Sequence, residues 1–271
     1  MSYYRRKLRK NGRKQALGLF YTGLAILIVI ALVGARAMLE STHVDLDPDT
    51  LCPVDGSPEY VAIVFDKTDA YNPIQQQFLK RYFSHLKSAL PSGARISLFV
   101  IEAGNEKRIE PELVICNPQS GQDASYWTAN PKALRKRWKE RFEKPLDAAI
   151  EGFMRPASAR YSAILEMLQI VALSGFPPGS ENAGKLMIIV SDMLHHTTEW
   201  SHYRGEMDFN SLLKSPYYQK IRTDLHDAEV RILYVRRDGA EHLQTKGHAY
   251  FWADYLNSIN GRVTLIEKID G

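Results

Sequence analysis

Only two cysteines, Cys52 and Cys116, occur in the 271 residues, and their spacing is no zinc-ligand motif. GxSxG, GxxxxGK[ST] and GxGxxG are all absent, so there is no nucleophile elbow, phosphate-cradling loop or dinucleotide fingerprint. A nucleotide-driven enzyme is not expected. Acids are missing altogether from residues 1–36, which carry eight positive charges. The whole chain has a formal charge of +4, so residues 37–271 carry four net negative charges. A nucleic-acid-binding domain is normally basic over its folded part, which argues against nucleic acid as a partner. Internal repeats and low-complexity segments are lacking too.

What is present first is a long apolar run. Ala16 to Ala35 reads ALGLFYTGLAILIVIALVGA, without a charge. As a helix it spans about 30 Å, the thickness of a bilayer's hydrocarbon core. Basic residues from Arg5 to Lys14 precede it, and Glu40, Asp45, Asp47 and Asp49 follow. The positive-inside rule places the N-terminus in the cytoplasm and the rest outside. The expected organisation is a basic cytoplasmic tail (1–15), a transmembrane helix (16–36), a polar linker (37–57) and a folded domain (58–271). The expected location is the inner (cytoplasmic) membrane, crossed once, with the domain on the periplasmic side. A cleaved signal peptide competes, since Ala35-Arg36-Ala37 fits a small-x-small site. The apolar run is, however, longer than the usual ~7–15 residues of such signals. Either reading exports the domain. In an oxidising compartment Cys52 and Cys116 are candidates for a disulfide; two buried free thiols are the alternative.

Beyond the linker, short apolar runs alternate with amphipathic stretches. Strands are expected at Tyr60–Phe65, Arg95–Ile101, Glu112–Cys116, Lys185–Val190, Glu229–Val235 and Arg262–Ile266. Helices are expected at Pro73–Leu90, with Ile74, Phe78, Phe83 and Leu86 near one face, and at Pro131–Met154, with Pro145 as a kink. Further helices are expected at Tyr161–Leu173, at Phe209–His226 with a break at Pro216, and at Glu241–Ile259. Gly104-Asn105 begins a turn, and Ser120–Asn130 is a polar loop. The alternation implies an α/β fold: a Rossmann-like, mainly parallel sheet with helices on both faces.

In such sheets ligands bind beyond the carboxyl ends of the strands. Two strands here run directly into acids. YVAIVF ends in Asp66, followed by Lys67-Thr68-Asp69, and KLMIIV ends in Ser191-Asp192. Oxygen-rich groups on adjacent strand ends suit a hard cation such as Mg²⁺. This pattern resembles the von Willebrand factor A (vWA) family and its metal-ion-dependent adhesion site. Asp66 matches the first Asp of that site and Thr68 its first Ser, while Ala70 stands where the second Ser belongs and offers no oxygen. Ser162 sits where the family has a Thr before a helix. Asp192 matches the later acid, with Met193 in place of the usual Gly. The resemblance spans about residues 58–268 and implies a vWA-like fold. It also implies a degenerate Mg²⁺ site of Asp66, Thr68, Ser162 and Asp192, which a partner protein's carboxylate completes. Asp69 is a substitute oxygen donor, and Lys67 or Lys185 could neutralise the acids without metal. In the family's topology Glu112–Cys116 is the antiparallel edge strand and ends on the side where Cys52 enters, which makes a Cys52–Cys116 bridge possible.

Other features carry weaker signals. His195, His196, Glu199 and His202 form the most histidine-dense stretch. With Asp66 and Asp192, His195 and His196 could serve an exported metal-dependent hydrolase; a polar surface loop is the plainer reading. Ser191 or Ser201 beside a histidine suggests a nucleophile by composition alone. Tyr250, Phe251, Trp252 and Tyr255 read as core packing of the last helix. Tyr126 and Trp127 are candidates for the rim of the site. The basic run from Lys132 to Arg141 reads as a solvated face, with an acidic partner as the alternative. The expected role is a membrane-anchored protein-binding or scaffold domain of a bacterial-type envelope. The hydrolase, and a structural subunit of a membrane assembly with a dead metal site, are the alternatives.

Overall fold

A computed structural model describes residues 20–34, 36, 44–68, 70–101, 110–121, 130–155 and 161–271. The chain divides into two units, Met1–Asp45 and Leu46–Gly271. In the first, residues 20–34 are helical and exposed along their length. Residues 16–19 and 35 of the apolar run, like the basic cluster before it, lie outside the described residues. No helix among the described residues is long and apolar enough to cross a membrane.

The second unit is built on a six-stranded sheet: β1 (Glu59–Asp66), β2 (Arg95–Ile101), β3 (Leu113–Cys116), β4 (Gly184–Ser191), β5 (Ala228–Val235) and β6 (Gly261–Ile269). The order is β3-β2-β1-β4-β5-β6. Every neighbouring pair is parallel except β2 and β3. The strand sequence therefore winds outward in both directions from β1 and β4, and the switch point lies between them. β1 and β4 are covered on both faces, which is why they read as unbroken apolar runs rather than alternating ones.

The helices are α1 (Pro73–Ala89), α2 (Pro131–Trp138), α3 (Lys144–Phe153), α4 (Ile164–Ser174), α5 (Phe209–Lys214), α6 (Pro216–Ile221) and α7 (Lys246–Ser258). Tyr60, Ala62 and Val64 pack into the cluster under α4–α7, whereas Val61, Ile63 and Phe65 pack into the one under α1 and α3. Phe251, Trp252 and Tyr255 are core residues as expected, while Tyr250 is exposed.

Local chemistry explains the boundaries. Asn72 and Gln75 form a capping box at the start of α1, with Pro73 in the first turn. Ile74, expected on the apolar face, is exposed, and Gln75 is buried instead. The Gln75 amide donates to the Arg236 carbonyl beyond β5 at 2.9 Å, so the buried polar group is satisfied. Pro145 cannot donate to the turn before it, and a π turn, Lys139–Glu143, separates α2 from α3. Helix α4 starts at Ile164 rather than Tyr161, because Ser162 is held in a backbone bridge with His196 at 3.0 and 2.9 Å. α6 stops at Ile221, short of the expected His226. α7 starts at Lys246 rather than Glu241, with Thr245 as its cap.

Cys52 and Cys116 are joined in a disulfide, with Cα atoms 4.7 Å apart. The Cys116 amide donates to the Thr50 carbonyl at 2.8 Å. The segment before β1 is thus fastened to edge strand β3, and the compact unit takes in residues 46–57, which composition alone reads as linker.

Candidate functional site

Parallel pairing sets Phe65 beside Val190, so Asp66 and Ser191 leave the sheet side by side at its carboxyl edge. Asp66 is fully buried and accepts four hydrogen bonds. Its Oδ1 takes the Thr68 amide at 3.0 Å and the Thr68 hydroxyl at 2.6 Å. Its Oδ2 takes the Ser191 hydroxyl at 2.8 Å and the Ser162 hydroxyl at 3.2 Å. Ser191 Oγ in turn accepts the Met193 amide at 2.7 Å. Three separate segments therefore deliver donors to one carboxylate, and the backbone bridge between Ser162 and His196 holds the most distant of them.

Asp192 follows Ser191 directly, yet its side chain has other partners. Oδ1 accepts the Leu194 amide at 2.8 Å, and Oδ2 accepts Arg237 Nε at 3.2 Å. Arg237 also donates through Nη1 to the Ala70 carbonyl and lies over the Tyr71 ring, 5.4 Å from its centre. Tyr71 donates from its hydroxyl to the carbonyls of Asp66 at 2.5 Å and Val190 at 3.2 Å. Burial, and then the Asp66 charge, push the Tyr71 hydroxyl well above the ordinary tyrosine range, so it remains a donor. Gln244 Nε2 links the Asp192 carbonyl, at 3.0 Å, to the Val235 carbonyl, at 2.8 Å.

Of the residues singled out in the sequence, Asp66, Thr68 and Ser162 come together, with Asp192 at the same sheet edge. Asp69, Tyr126 and Trp127 lie outside the described residues. Lys185 sits at the other end of β4 and donates to the Glu181 carbonyl at 3.3 Å, so it does not neutralise either acid. Arg237 answers Asp192 instead, a residue that sequence reasoning passed over. Its signal was legible: Arg236-Arg237 directly follows β5, the strand beside β4, at the same edge that drew attention to Asp66 and Asp192.

The histidines do not meet at Asp66. His195, expected as an accessory ligand, is fully buried; its Nε2 lies 3.1 Å from the Tyr217 hydroxyl and its Nδ1 3.4 Å from the Leu165 amide. His202 Nδ1 lies 2.9 Å from His248 Nε2, and His248 Nδ1 lies 2.6 Å from the Tyr234 hydroxyl. Burial, reinforced by neighbouring positive charge, lowers His195 to about 3 and His202 to about 2, and burial lowers His248 to about 4. All three imidazoles are thus neutral at physiological pH. No group of three His, Cys, Asp or Glu side chains among the described residues could hold a metal ion.

His196 differs from these. Its Nδ1 lies 2.7 Å from Ser201 Oγ, which also accepts the Tyr203 amide at 3.2 Å as the cap of a short helical turn. Its ring centroid lies 5.6 Å from that of Tyr161 and 5.3 Å from that of Tyr203. Tyr161 is 44% and Tyr203 52% exposed, so two exposed aromatic rings pack against His196, next to Ser162.

No family model and no curated protein matches the sequence. Among solved structures, an aerotolerance-related membrane protein from Bacteroides fragilis NCTC 9343, carrying multiple mutations to serines, is similar to this chain. The match covers 79% of this chain and 92% of that one, at 12% identity and a TM-score of 0.34.

Proposed function

We propose that the chain is a membrane-anchored docking protein of the cell envelope. Its exported, vWA-like domain binds another protein at the carboxyl ends of β1 and β4. The observation that carries this reading is the surface trio Tyr161–His196–Tyr203 standing beside a polar floor already satisfied from within. Exposed aromatic rings offer a partner large apolar area at low entropic cost. A floor whose carboxylates already have donors leaves no bare charge to be desolvated when a partner closes over it. Export is supported by the Cys52–Cys116 bond, which persists in oxidising compartments, and the anchor by the uncharged run 16–35.

A resident Mg²⁺ does not fit the donor set. Such a cation needs several oxygens, with carboxylates to supply charge. Here the Asp192 carboxylate and the Ala70 carbonyl are both engaged by the Arg237 guanidinium, and Ala70 supplies no side-chain oxygen. In this reading Arg237 provides the fixed positive charge at the site, and docking does not depend on metal.

The test is cross-linking and affinity capture of the intact protein from its own membranes, with and without chelator. Tyr161→Ala combined with Tyr203→Ala is expected to lower recovery of the partner severalfold, and chelator is expected to leave recovery unchanged. Recovery that ignores the double substitution would favour a purely structural subunit. Loss on chelation would restore the metal. Alkaline carbonate extraction tests the anchor separately: the chain should remain with the membrane pellet.

A further inference from the structure

We infer that the basic face of α2 and the π turn after it rests on the anionic phospholipid headgroups of the membrane. The inference builds on the anchored reading above. Lys132, Arg135, Lys136, Arg137, Lys139 and Arg141 are all exposed. With only Glu140 and Glu143 among them, residues 131–143 carry four net positive charges, so the rest of 37–271 carries eight net negative ones. Positive charge is concentrated on one short segment of an otherwise acidic domain. The first five of these cations have no ion pair among the described residues. α2 also has no buried residue, so it contributes little to the core of its own domain.

Its position supplies the second half of the argument. Trp138 Nε1 donates to Asn117 Oδ1 at 2.8 Å, and Arg141 donates to the Pro48 carbonyl at 2.5 Å. These bonds hold the helix beside the segment through which the chain reaches the domain, next to the disulfide. That is the end of the sheet opposite Asp66. Fully extended, residues 36–46 reach at most about 35 Å. A tether this short keeps the membrane surface at high effective concentration beside the nearest part of the domain, which favours lipid over a freely diffusing acidic protein. Each lysine or arginine close to an anionic surface strengthens attachment about fivefold, and the attraction fades within a Debye length. The acidic remainder is repelled by the same surface, so the domain would be oriented with Tyr161 and Tyr203 away from the lipid.

The experiment uses the full chain, synthesised in the presence of vesicles of phosphatidylcholine alone or of phosphatidylcholine mixed with phosphatidylglycerol. Flotation with either vesicle reports the anchor; amide hydrogen exchange over residues 131–143 reports the helix. The expected result is severalfold slower exchange in the mixed vesicles only. The difference should vanish at high salt and in the triple variant Arg135→Glu, Lys136→Glu, Lys139→Glu. Unchanged exchange in β1 shows that the variant is folded. Equal exchange in both vesicles overturns the proposal, as does protection that survives the triple substitution or that arises only when membrane proteins are added. Failure to float with either vesicle strikes the anchored reading instead.

Discussion

The two faces of the sheet are built from different materials. Under α1 and α3 the core consists of residues such as Leu79, Phe83, Leu98, Phe142 and Leu146, without a buried imidazole among the described residues. Under α4–α7 the core holds Trp252, Tyr234, Tyr255 and Phe251, and His195, His202 and His248 are buried in the same layer. The first face holds the domain together mainly by apolar packing, with Gln75 and Lys87 as buried polar groups that are paired. The other face does this and also supports the site. Trp252 donates to the Met193 carbonyl at 2.8 Å and His248 Nε2 lies 3.1 Å from it, fixing the turn that follows Asp192. The strand ends where function is expected are therefore held from both faces, by His248 and Trp252 on one and by the Tyr71 hydroxyl on the other, but only the first depends on buried imidazoles.

The strongest way to break this comparison is acid. Between the lowered values of the three histidines and the ordinary value near 6.5, the unfolded chain binds more protons than the native state. Stability should therefore fall as pH drops below about 6.5, by up to about 1.4 kcal/mol per pH unit for each imidazole. Urea unfolding at pH 7 and pH 5 measures it, and a flat profile would contradict the burial described. Leu79→Ala, on the apolar face, should cost about 2–5 kcal/mol at either pH.

Next in size is Asp66→Ala, which leaves three hydroxyls and one amide without their acceptor. A loss of about 3–5 kcal/mol in thermal or urea unfolding is expected. Arg237→Met should cost about 3 kcal/mol, because it removes the guanidinium that offsets the buried Asp192 charge; Arg237→Met with Asp192→Leu should recover most of that. If the double variant is no better than the single, the pair is not the unit proposed here. The smallest effects grade the hydroxyls. Ser191→Ala is expected to cost about 2 kcal/mol and Ser162→Ala about 1 kcal/mol, since Ser191 both donates to Asp66 and accepts from Met193 whereas Ser162 makes the longer bond. Equal values would show that the cluster does not depend on Ser191 as its hinge.

Much of the fold was legible because strands buried on both sides announce themselves as unbroken apolar runs. β2 was placed to the residue, and the other five strands to within three. Helix starts were harder. Tyr161–Ala163 and Glu241–Gln244 have helix-compatible composition, but long-range bonds from His196 and to Asp192 hold them out of the helix. Reading the strand ends drew attention to Asp66 and Asp192, and the vWA resemblance added Thr68 and Ser162, which the structure places around the Asp66 carboxylate. Arg237 escaped because its importance arises only when a third strand is laid beside the second. The histidine-rich stretch misled in a simple way: polar composition suggested a surface loop, whereas His195 and His202 are buried in the core, bonded to Tyr217 and His248 respectively.

The covalent link between Cys52 and Cys116 also decides how the domain would bear load. A pull on the segment that leads into the domain passes through a sulfur–sulfur bond into edge strand β3, and from there into the ladder with β2. The segment from 53 to 58 is spared, and β1 is shielded from being peeled off the sheet from its first residue. Reducing conditions would hand that tension to hydrogen bonds such as Cys116 to Thr50 and Arg141 to Pro48. The same force that leaves the oxidised protein intact would then begin unravelling it at the strand that ends in Asp66.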